Sequence, residues 1–274
     1  IDVSLVGSEM CIRDRANTHR TLLCFSNLGK VYWLKVYEIP QASRTAKGRP
    51  LVNLIELDEQ ERVTSLLDVQ SFEDEAFVFM ATQNGIIKKT PLSEFKRPRK
   101  NGKRAIKLDE NDELVGTLLT NGSADLMVVS NAGKAVFFNE KDARSMGRDT
   151  RGVKGITLDR NQQVISLLKP STESEILTVS ENGYGKRSKV SDFRKTKRGA
   201  KGVIAMQTTQ RNGDLISAKE VSDTDEVILI TNKGMLVRTK VSEISLIGRN
   251  TQGVKVITLK DDEALNGLAL AIDS

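Results

Sequence analysis

The stretch that decides the fold is ILTVSENGYGKR, which occupies residues 176–187. An apolar run leads into a turn ending in glycine, and a second strand-like run follows, which is typical of a β-hairpin whose turn needs a positive φ. The same turn pattern of Ser or Thr, two further residues and glycine occurs at residues 26–29, 82–85, 130–133, 180–183 and 231–234. Its glycines lie 56, 48, 50 and 51 residues apart. We therefore predict five copies of one unit of about fifty residues.

Each unit carries a second glycine, 17 or 19 residues after the first. An alternating segment such as residues 153–158 follows it, and a last apolar run closes the unit. No segment keeps a helical period, so every run in the unit reads as a short strand. The predicted units are residues 22–70, 76–120, 125–170, 175–221 and 226–271. Units of this kind are typical of propeller blades, and we predict an all-β, propeller-like disc of four-stranded blades.

The start of the chain does not follow the repeat. Residues 1–15 match no later segment and look like a translated sequencing adapter, so we expect a non-native or disordered leader there. Residues 16–21 are expected to be the tail of an earlier unit whose body is absent, because a blade needs neighbours to cover its faces. The prediction is one domain over residues 16–274, taken from a propeller of at least six blades.

The composition excludes several classes of function. No apolar run approaches the ~20 residues of a membrane-spanning helix. Two cysteines, of which Cys24 lies within the repeats, and one histidine, His19, leave little for metal or nucleophile chemistry and suit a reducing cytoplasm. Acidic runs such as residues 109–113 lack the spacing of a calcium loop. We therefore predict no catalytic residue, no metal and no cofactor in this chain.

Basic residues gather in the segment before each second glycine and in the strand that precedes it. Residues 96–104 hold six cations and no acid, and residues 194–202 hold five cations. Acids gather elsewhere, for example at residues 56–59 and 261–263. If the units are blades, the basic loops fall at equivalent radii and form a band along one edge of the disc. The predicted DNA-contacting residues are Arg44, Lys47, Lys88, Lys89, Arg97, Arg99, Lys100, Lys103, Arg104, Arg148, Arg151, Lys186, Arg187, Lys195, Lys197, Arg198, Lys201, Arg238 and Arg249.

A continuous band of cations suits the phosphate backbone of double-stranded DNA, whose contacts position a protein without reading sequence. Aromatic residues make up 4% of the chain, which is too few for a platform that stacks single strands. Turning a duplex through half a circle over ~40 base pairs costs on the order of 10 kcal/mol, which only a band of many contacts offsets. We predict binding and bending of duplex DNA; a protein-binding propeller without a nucleic-acid role is the alternative.

Four stretches, residues 37–48, 182–187, 241–245 and 248–254, resemble the C-terminal domain of the A subunit of DNA gyrase, of proteobacterial type. The resemblance implies a six-bladed β-pinwheel whose blades exchange strands and whose outer edge wraps duplex DNA, here with a truncated first blade and about five complete repeats. It implies as partners the catalytic core of the gyrase A subunit and the gyrase B subunit, which use ATP and Mg to drive negative supercoiling. It also implies a place at the bacterial nucleoid in the cytoplasm, with no membrane.

The sequence departs from this family in two places. The wrapping motif Gln-Arg-Arg-Gly-Gly-Lys-Gly of the first blade has its nearest relative at residues 197–202, in a later unit. The acidic tail that is common in the family is absent from the sequence. The C-terminal domain of the A subunit of topoisomerase IV is the alternative within the same class, and the five regular units favour the gyrase resemblance.

Overall fold

A computed structural model describes residues 2–6, 11–15, 17–40, 50–73 and 75–271. Within these ranges the chain is all-β, with short 3-10 turns and no α-helix. The strands are β1 (Asp2–Val6), β2 (Cys11–Arg15), β3 (Thr21–Ser26), β4 (Lys30–Lys35), β5 (Val63–Val69), β6 (Phe77–Thr82), β7 (Ile86–Pro91), β8 (Lys103–Arg104), β9 (Leu114–Thr120), β10 (Asp125–Ser130), β11 (Lys134–Asn139), β12 (Val153–Lys154), β13 (Val164–Leu168), β14 (Glu175–Ser180), β15 (Tyr184–Lys189), β16 (Val203–Ile204), β17 (Leu215–Val221), β18 (Glu226–Thr231), β19 (Leu236–Lys240), β20 (Val254–Lys255) and β21 (Leu265–Ala271). The 3-10 turns are Val36–Glu38, Leu51–Asn53, Leu92–Phe95, Glu140–Asp142, Val190–Asp192 and Val241–Glu243. No helix in this part of the chain is long and apolar enough to span a bilayer.

The predicted turns join antiparallel strands. β3 pairs with β4, β6 with β7, β10 with β11, β14 with β15 and β18 with β19. The turn glycines have φ between 71° and 81°, a region that is open to glycine and costly for any residue with a Cβ. The closing strands β5, β9, β13, β17 and β21 pair with the other side of the first strand of their own unit.

The fourth strand of a blade comes from the following unit. β8 pairs with β4, β12 with β7, β16 with β11 and β20 with β15. Each donated strand has two residues and lies directly after the second glycine of its unit. The prediction of a full third strand inside each unit, such as residues 153–158, is therefore wrong: only Val153–Lys154 pair, and they pair with the preceding unit.

Five blades result, four with four strands and a fifth with three. The fifth blade has the strand order β19–β18–β21, so among the described residues the outer edge of β19 has no strand partner. The hairpin of β1 and β2 pairs with none of the blades. The all-β, propeller-like prediction is thus confirmed, whereas a sixth, truncated blade and a foreign leader stay predictions.

Apolar side chains from neighbouring blades interlock. Leu23 and Phe25 of blade 1 pack with Met80 and Phe95 of blade 2, and the two phenylalanine rings meet edge to face at 5.9 Å. Equivalent clusters join blades 2 and 3, 3 and 4, and 4 and 5. The closing strands β5, β9, β13, β17 and β21 contact one another in succession. Because these strands meet from blade to blade, they face the centre of the disc, and the donated strands lie at its periphery.

Candidate nucleic-acid interface

The basic loops lie where the chain crosses from one blade to the preceding one. The crossing first runs parallel to the outer strand of the preceding blade, through the bridges Lys89–Ser145, Phe137–Lys195 and Arg187–Leu246. It then loops out and returns as β12, β16 or β20, which pairs with that same strand. On blade 1, the Trp33 Nε1 donates to the Phe95 carbonyl at 2.8 Å, and β8 ends the crossing.

We call residues 96–102, 144–152, 194–202 and 245–253 the rim loops. Each is held at both ends against the outer strand of a blade, so the four loops take equivalent places on blades 1 to 4. The glycine that ends each loop allows the tight return. At Gly202, for example, φ is +79° and an added Cβ would lie 2.6 Å from the Ala135 carbonyl oxygen. The loops are thus brought together by topology, and the cations they carry lie on the periphery.

Five of the predicted residues are fully available to a ligand: Arg97, Arg99, Lys100, Lys197 and Lys201. Their side chains are exposed and make no hydrogen bond or ion pair with any other described residue. Long, unpaired cations on a glycine-containing loop suit phosphate oxygens, because they can adjust to a backbone that varies little with sequence.

Positive charge is concentrated around Lys103, between the rim loops of residues 96–102 and 144–152. Partial desolvation and the charges of Arg148, Arg99 and Arg97 lower the pKa of Lys103. Its ammonium lies 5.7 Å from the centre of the Trp33 ring, which supports the side chain from below. Mutual repulsion of this kind is relieved when an anion binds, so this is the part of the rim best suited to a phosphate.

Four other predicted residues are exposed but share their charge with an acid. Arg104 lies 3.8 Å from Asp149, and Lys195 lies 2.6 Å from Asp125. Arg151 pairs with Asp109, and Arg238 pairs with Glu226. Exposed pairs contribute little energy, typically ~0–1 kcal/mol, so a phosphate can compete for these cations.

Four of the predicted strand cations are buried, which corrects their prediction as DNA contacts. Lys88 and Lys186 are 0% exposed, and Lys89 and Arg187 are 7% and 6% exposed. Arg187 Nη1 is bound by Glu175 at 2.7 Å and by Asp223 at 2.8 Å. A cation enclosed in this way cannot reach a phosphate at the surface. In the sequence these residues are only a basic pair in each of two strands. In the structure both members of each pair are covered by protein, because the crossing segment packs beside the outer strand.

Arg148, Arg198 and Arg249 are half-buried and bound to backbone carbonyls, as described below. Arg44 and Lys47 lie outside the described residues. Five exposed rim cations were missing from the predicted set: Lys96, Arg144, Lys154, Arg194 and Lys255. Their signal is the repeat register. Lys96 is the C-cap residue of its 3-10 turn, Arg144 and Arg194 each follow the C-cap residue of theirs, and Lys154 and Lys255 belong to donated strands.

The two buried lysines hold the rim loops from inside. Lys88 Nζ donates to the Ala105 carbonyl at 2.8 Å and the Thr150 carbonyl at 3.1 Å, and Lys186 Nζ donates to the Gly248 carbonyl at 2.8 Å. Burial lowers the pKa of both lysines to about 8. Replacing either lysine therefore changes both the loop anchor and the pH dependence of stability.

Lys88→Met is expected to flatten the pH profile of stability. Between pH 8 and 10.5 the unfolded chain still holds a proton that folded Lys88 has released, so the free energy of unfolding rises with pH in this window. The slope is up to ~1.4 kcal/mol per pH unit, and it vanishes below the folded pKa, where both states are protonated. Urea unfolding at pH values across this window measures the difference between parent and variant. Lys107→Met, at an exposed lysine, is the control, and a parent profile parallel to that of Lys88→Met contradicts the assignment.

The fold and the rim together define a class: a propeller-like disc of strand-exchanged blades with cationic loops at its periphery. Residues 20–70, 76–121, 124–171, 174–222 and 225–271 match the family described as "DNA gyrase C-terminal domain, beta-propeller". The chain belongs to this family. The resemblance stated from the sequence is thereby confirmed.

The relatives agree with this placement. The A subunit of DNA gyrase from Salmonella typhimurium is 50% identical over 253 residues, which cover 92% of this chain and 29% of that protein. Its counterpart from Pseudomonas aeruginosa is 46% identical over 296 residues, with 92% and 32% covered. The chain therefore spans less than a third of the length of these relatives.

Two solved structures share the fold. The DNA gyrase A C-terminal domain superposes with a TM-score of 0.80 at 29% identity, covering 96% of this chain and 84% of that chain. The C-terminal domain of DNA topoisomerase IV superposes with a TM-score of 0.88 at 25% identity, covering 97% and 84%.

Proposed function

We propose that this chain binds double-stranded DNA through its phosphate backbone and bends it around the rim of the disc. One observation carries the proposal: strand exchange sets a loop at the same peripheral place on four successive blades, and three of these loops carry exposed cations. A duplex laid along the rim meets these loops in turn. The loops of residues 96–102, 144–152 and 194–202 offer exposed cations that no described acid neutralises or that only an exposed acid shares. Membership of the DNA gyrase C-terminal domain family supports the proposal.

The number of contacts decides between bending and simple binding. Bending a duplex through half a circle over ~40 base pairs costs on the order of 10 kcal/mol. One loop such as residues 96–102 cannot offset this cost, whereas three such loops and the shared cations beside them can when they act on one duplex. The DNA sequence should not affect binding, because the exposed rim cations suit phosphate oxygens and not base edges. The described aromatic side chains near them, such as Trp33, are partly buried and pack against the core.

Within a full-length protein, the bent duplex would be presented to the catalytic core of the gyrase A subunit, which works with the gyrase B subunit, ATP and Mg. The bend would bias strand passage toward negative supercoils. We also propose that the complete disc has six blades and that the protein acts at the bacterial nucleoid. The exposed side chains of the described rim loops are mostly cationic or polar, which supports binding and shaping DNA as the chain's own part.

A second candidate function is that of the topoisomerase IV domain, which the TM-score of 0.88 to that structure favours. The 50% identity to the A subunit of DNA gyrase over 92% of the chain favours the gyrase role. Supercoiling of relaxed plasmid by the full-length protein decides between them: net negative supercoiling supports the gyrase role, and relaxation or decatenation alone supports the other.

The proposal predicts a steep salt dependence of DNA binding. Each phosphate neutralised on a duplex lowers log affinity by about 0.9 per unit of log salt concentration. The five unpaired rim cations alone therefore give a slope of about −4.5, and the shared cations steepen it. Fluorescence anisotropy with a labelled duplex of ~40 base pairs, titrated from ~50 to ~300 mM KCl, measures the slope. A flat salt response, or no binding at the lowest salt, contradicts the proposal.

A further inference from the structure

An arginine stands four residues before the second glycine in three rim loops. These are Arg148, Arg198 and Arg249, and their guanidinium groups repeat one contact. Each Nη1 donates to the carbonyl of the second residue after the second glycine of the preceding unit. The three bonds are Arg148 to Arg104 (3.1 Å), Arg198 to Lys154 (3.0 Å) and Arg249 to Ile204 (3.0 Å).

The same guanidinium groups also reach the 3-10 turn of the preceding unit. Arg198 Nε donates to the Asp142 carbonyl at 2.8 Å, and Arg249 Nε donates to the Asp192 carbonyl at 3.1 Å. Arg148 Nε lies 3.8 Å from Glu94 Oε2, in the 3-10 turn that corresponds to the other two. Arg198 and Arg249 therefore each tie their rim loop by hydrogen bonds to two separate segments of the preceding unit. Arg148 makes one such hydrogen bond, and its Nε, which has no hydrogen-bond partner among the described residues, adds only the ion pair with Glu94.

The backbone of two of these arginines is held from the other side. Lys88 Nζ donates to the Arg148 carbonyl, and Lys186 Nζ donates to the Arg249 carbonyl. The side chain and the main chain of the arginine are thus both committed to protein. A residue in this position has few donors left for a phosphate, in contrast to its exposed neighbours.

We propose that Arg148, Arg198 and Arg249 are clasps between successive crossings: positioning residues that fix the angle between neighbouring rim loops and so the path of the bound duplex. A planar guanidinium can make two directional bonds to carbonyls at once, which an ammonium on a flexible stem cannot reproduce. Unit 2 has Pro98 at this position, so the loop of residues 96–102 has no clasp. Only the DNA readouts below rest on the proposed function.

Variants at two adjacent residues, Lys197 and Arg198, test the effect of the clasp separately from the effect of charge. Arg198→Lys keeps the charge and removes the clasp, whereas Lys197→Gln removes a charge from an exposed side chain and leaves the clasp in place. Hydrogen exchange in the full chain reports on the loop without DNA. The relevant amides are those of Thr196, which donates to the Phe137 carbonyl at 2.7 Å, and Gly199, which donates to the Gly155 carbonyl at 2.6 Å.

We expect these two amides to exchange about tenfold faster in Arg198→Lys, because charge-assisted hydrogen bonds are lost, and to be unchanged in Lys197→Gln. With duplex DNA, Lys197→Gln should reduce the salt slope by about 0.9, whereas Arg198→Lys should leave it unchanged. The energy-transfer signal from a doubly end-labelled duplex should drop by roughly half in Arg198→Lys, because the bend depends on aligned loops.

Exchange rates in Arg198→Lys within twofold of the parent would overturn the clasp. So would a salt slope that falls in Arg198→Gln while Arg198→Lys matches the parent in every readout, because that result makes Arg198 a phosphate contact. If the parent binds no DNA, the proposed function fails, and the exchange arm still decides the clasp. Arg249→Lys repeats the test at another junction, read at the Ile247 amide, which donates to the Arg187 carbonyl at 3.0 Å.

Discussion

Reversing the charges of Arg97, Arg99, Lys100 and Lys103 to glutamate should lower the affinity for duplex DNA by at least ~10³-fold at ~100 mM salt. The variant loses four of the rim's cations, three of them exposed and unpaired, and it adds four repulsive charges at the part of the rim where positive charge is most concentrated. The loss should be the same for all duplex sequences, because backbone contacts do not read bases. Anisotropy with two duplexes of unrelated sequence measures it.

A matched control separates position from net charge. Arg97→Glu/Arg99→Glu is compared with Arg160→Glu/Lys260→Glu, which changes the net charge equally at exposed residues outside the rim loops. The first pair should lose far more affinity than the second, and both should keep the parent melting temperature. Equal losses would mean that the overall charge, not the rim, holds DNA, and a loss confined to one duplex sequence would contradict backbone recognition.

Gly133→Ala should destabilise the fold by at least ~3 kcal/mol, of which about 1–2 kcal/mol comes from the backbone conformation alone. Gly133 has φ +71°, and an added Cβ would lie 2.0 Å from the Met206 carbonyl oxygen. The donated segment cannot retreat cheaply, because the Ala205 and Met206 amides donate to the Gly133 carbonyl at 2.8 and 3.2 Å. Urea unfolding of parent and variant measures the difference in free energy.

The fifth blade supplies the control. Gly234 occupies the same turn with φ +80°, but an added Cβ there meets no atom within 4 Å, because no donated strand crosses this turn in the described chain. Gly234→Ala should therefore cost only the backbone strain of about 1–2 kcal/mol. Equal costs at the two glycines would mean that strand exchange adds nothing to the constraint on the turn.

The blades could be predicted from the sequence because their signals are local. The turn pattern that ends at Gly183 fixes a hairpin by itself, and the closing runs, such as β13, alternate over enough residues to read as strands. Each hairpin could therefore be predicted nearly to its observed limits. The spacing of the second glycines likewise located the rim loops.

The donated strands could not be predicted from the residues, because two residues such as Val153–Lys154 are too short for a period, and their partner lies in another unit. The burial of Lys88 and Lys186 was missed for a related reason. A lysine in a strand reads as a solvated charge, and only the carbonyls of the crossing chain make its burial possible. Blade 3 has Val136 at the position of Lys88 and Lys186, so the fold accepts either a buried lysine or an apolar residue there.

Strand donation also sets an order of events during synthesis. β4 ends at Lys35, but its outer partner begins at Lys103, so blade 1 stays incomplete until most of the next unit has left the ribosome. Until then β4 presents a bare edge to anything nearby, including other nascent chains. Maturation therefore runs one unit behind translation, and an excision of any inner unit damages two blades at once: its own, and the one that was waiting for its strand.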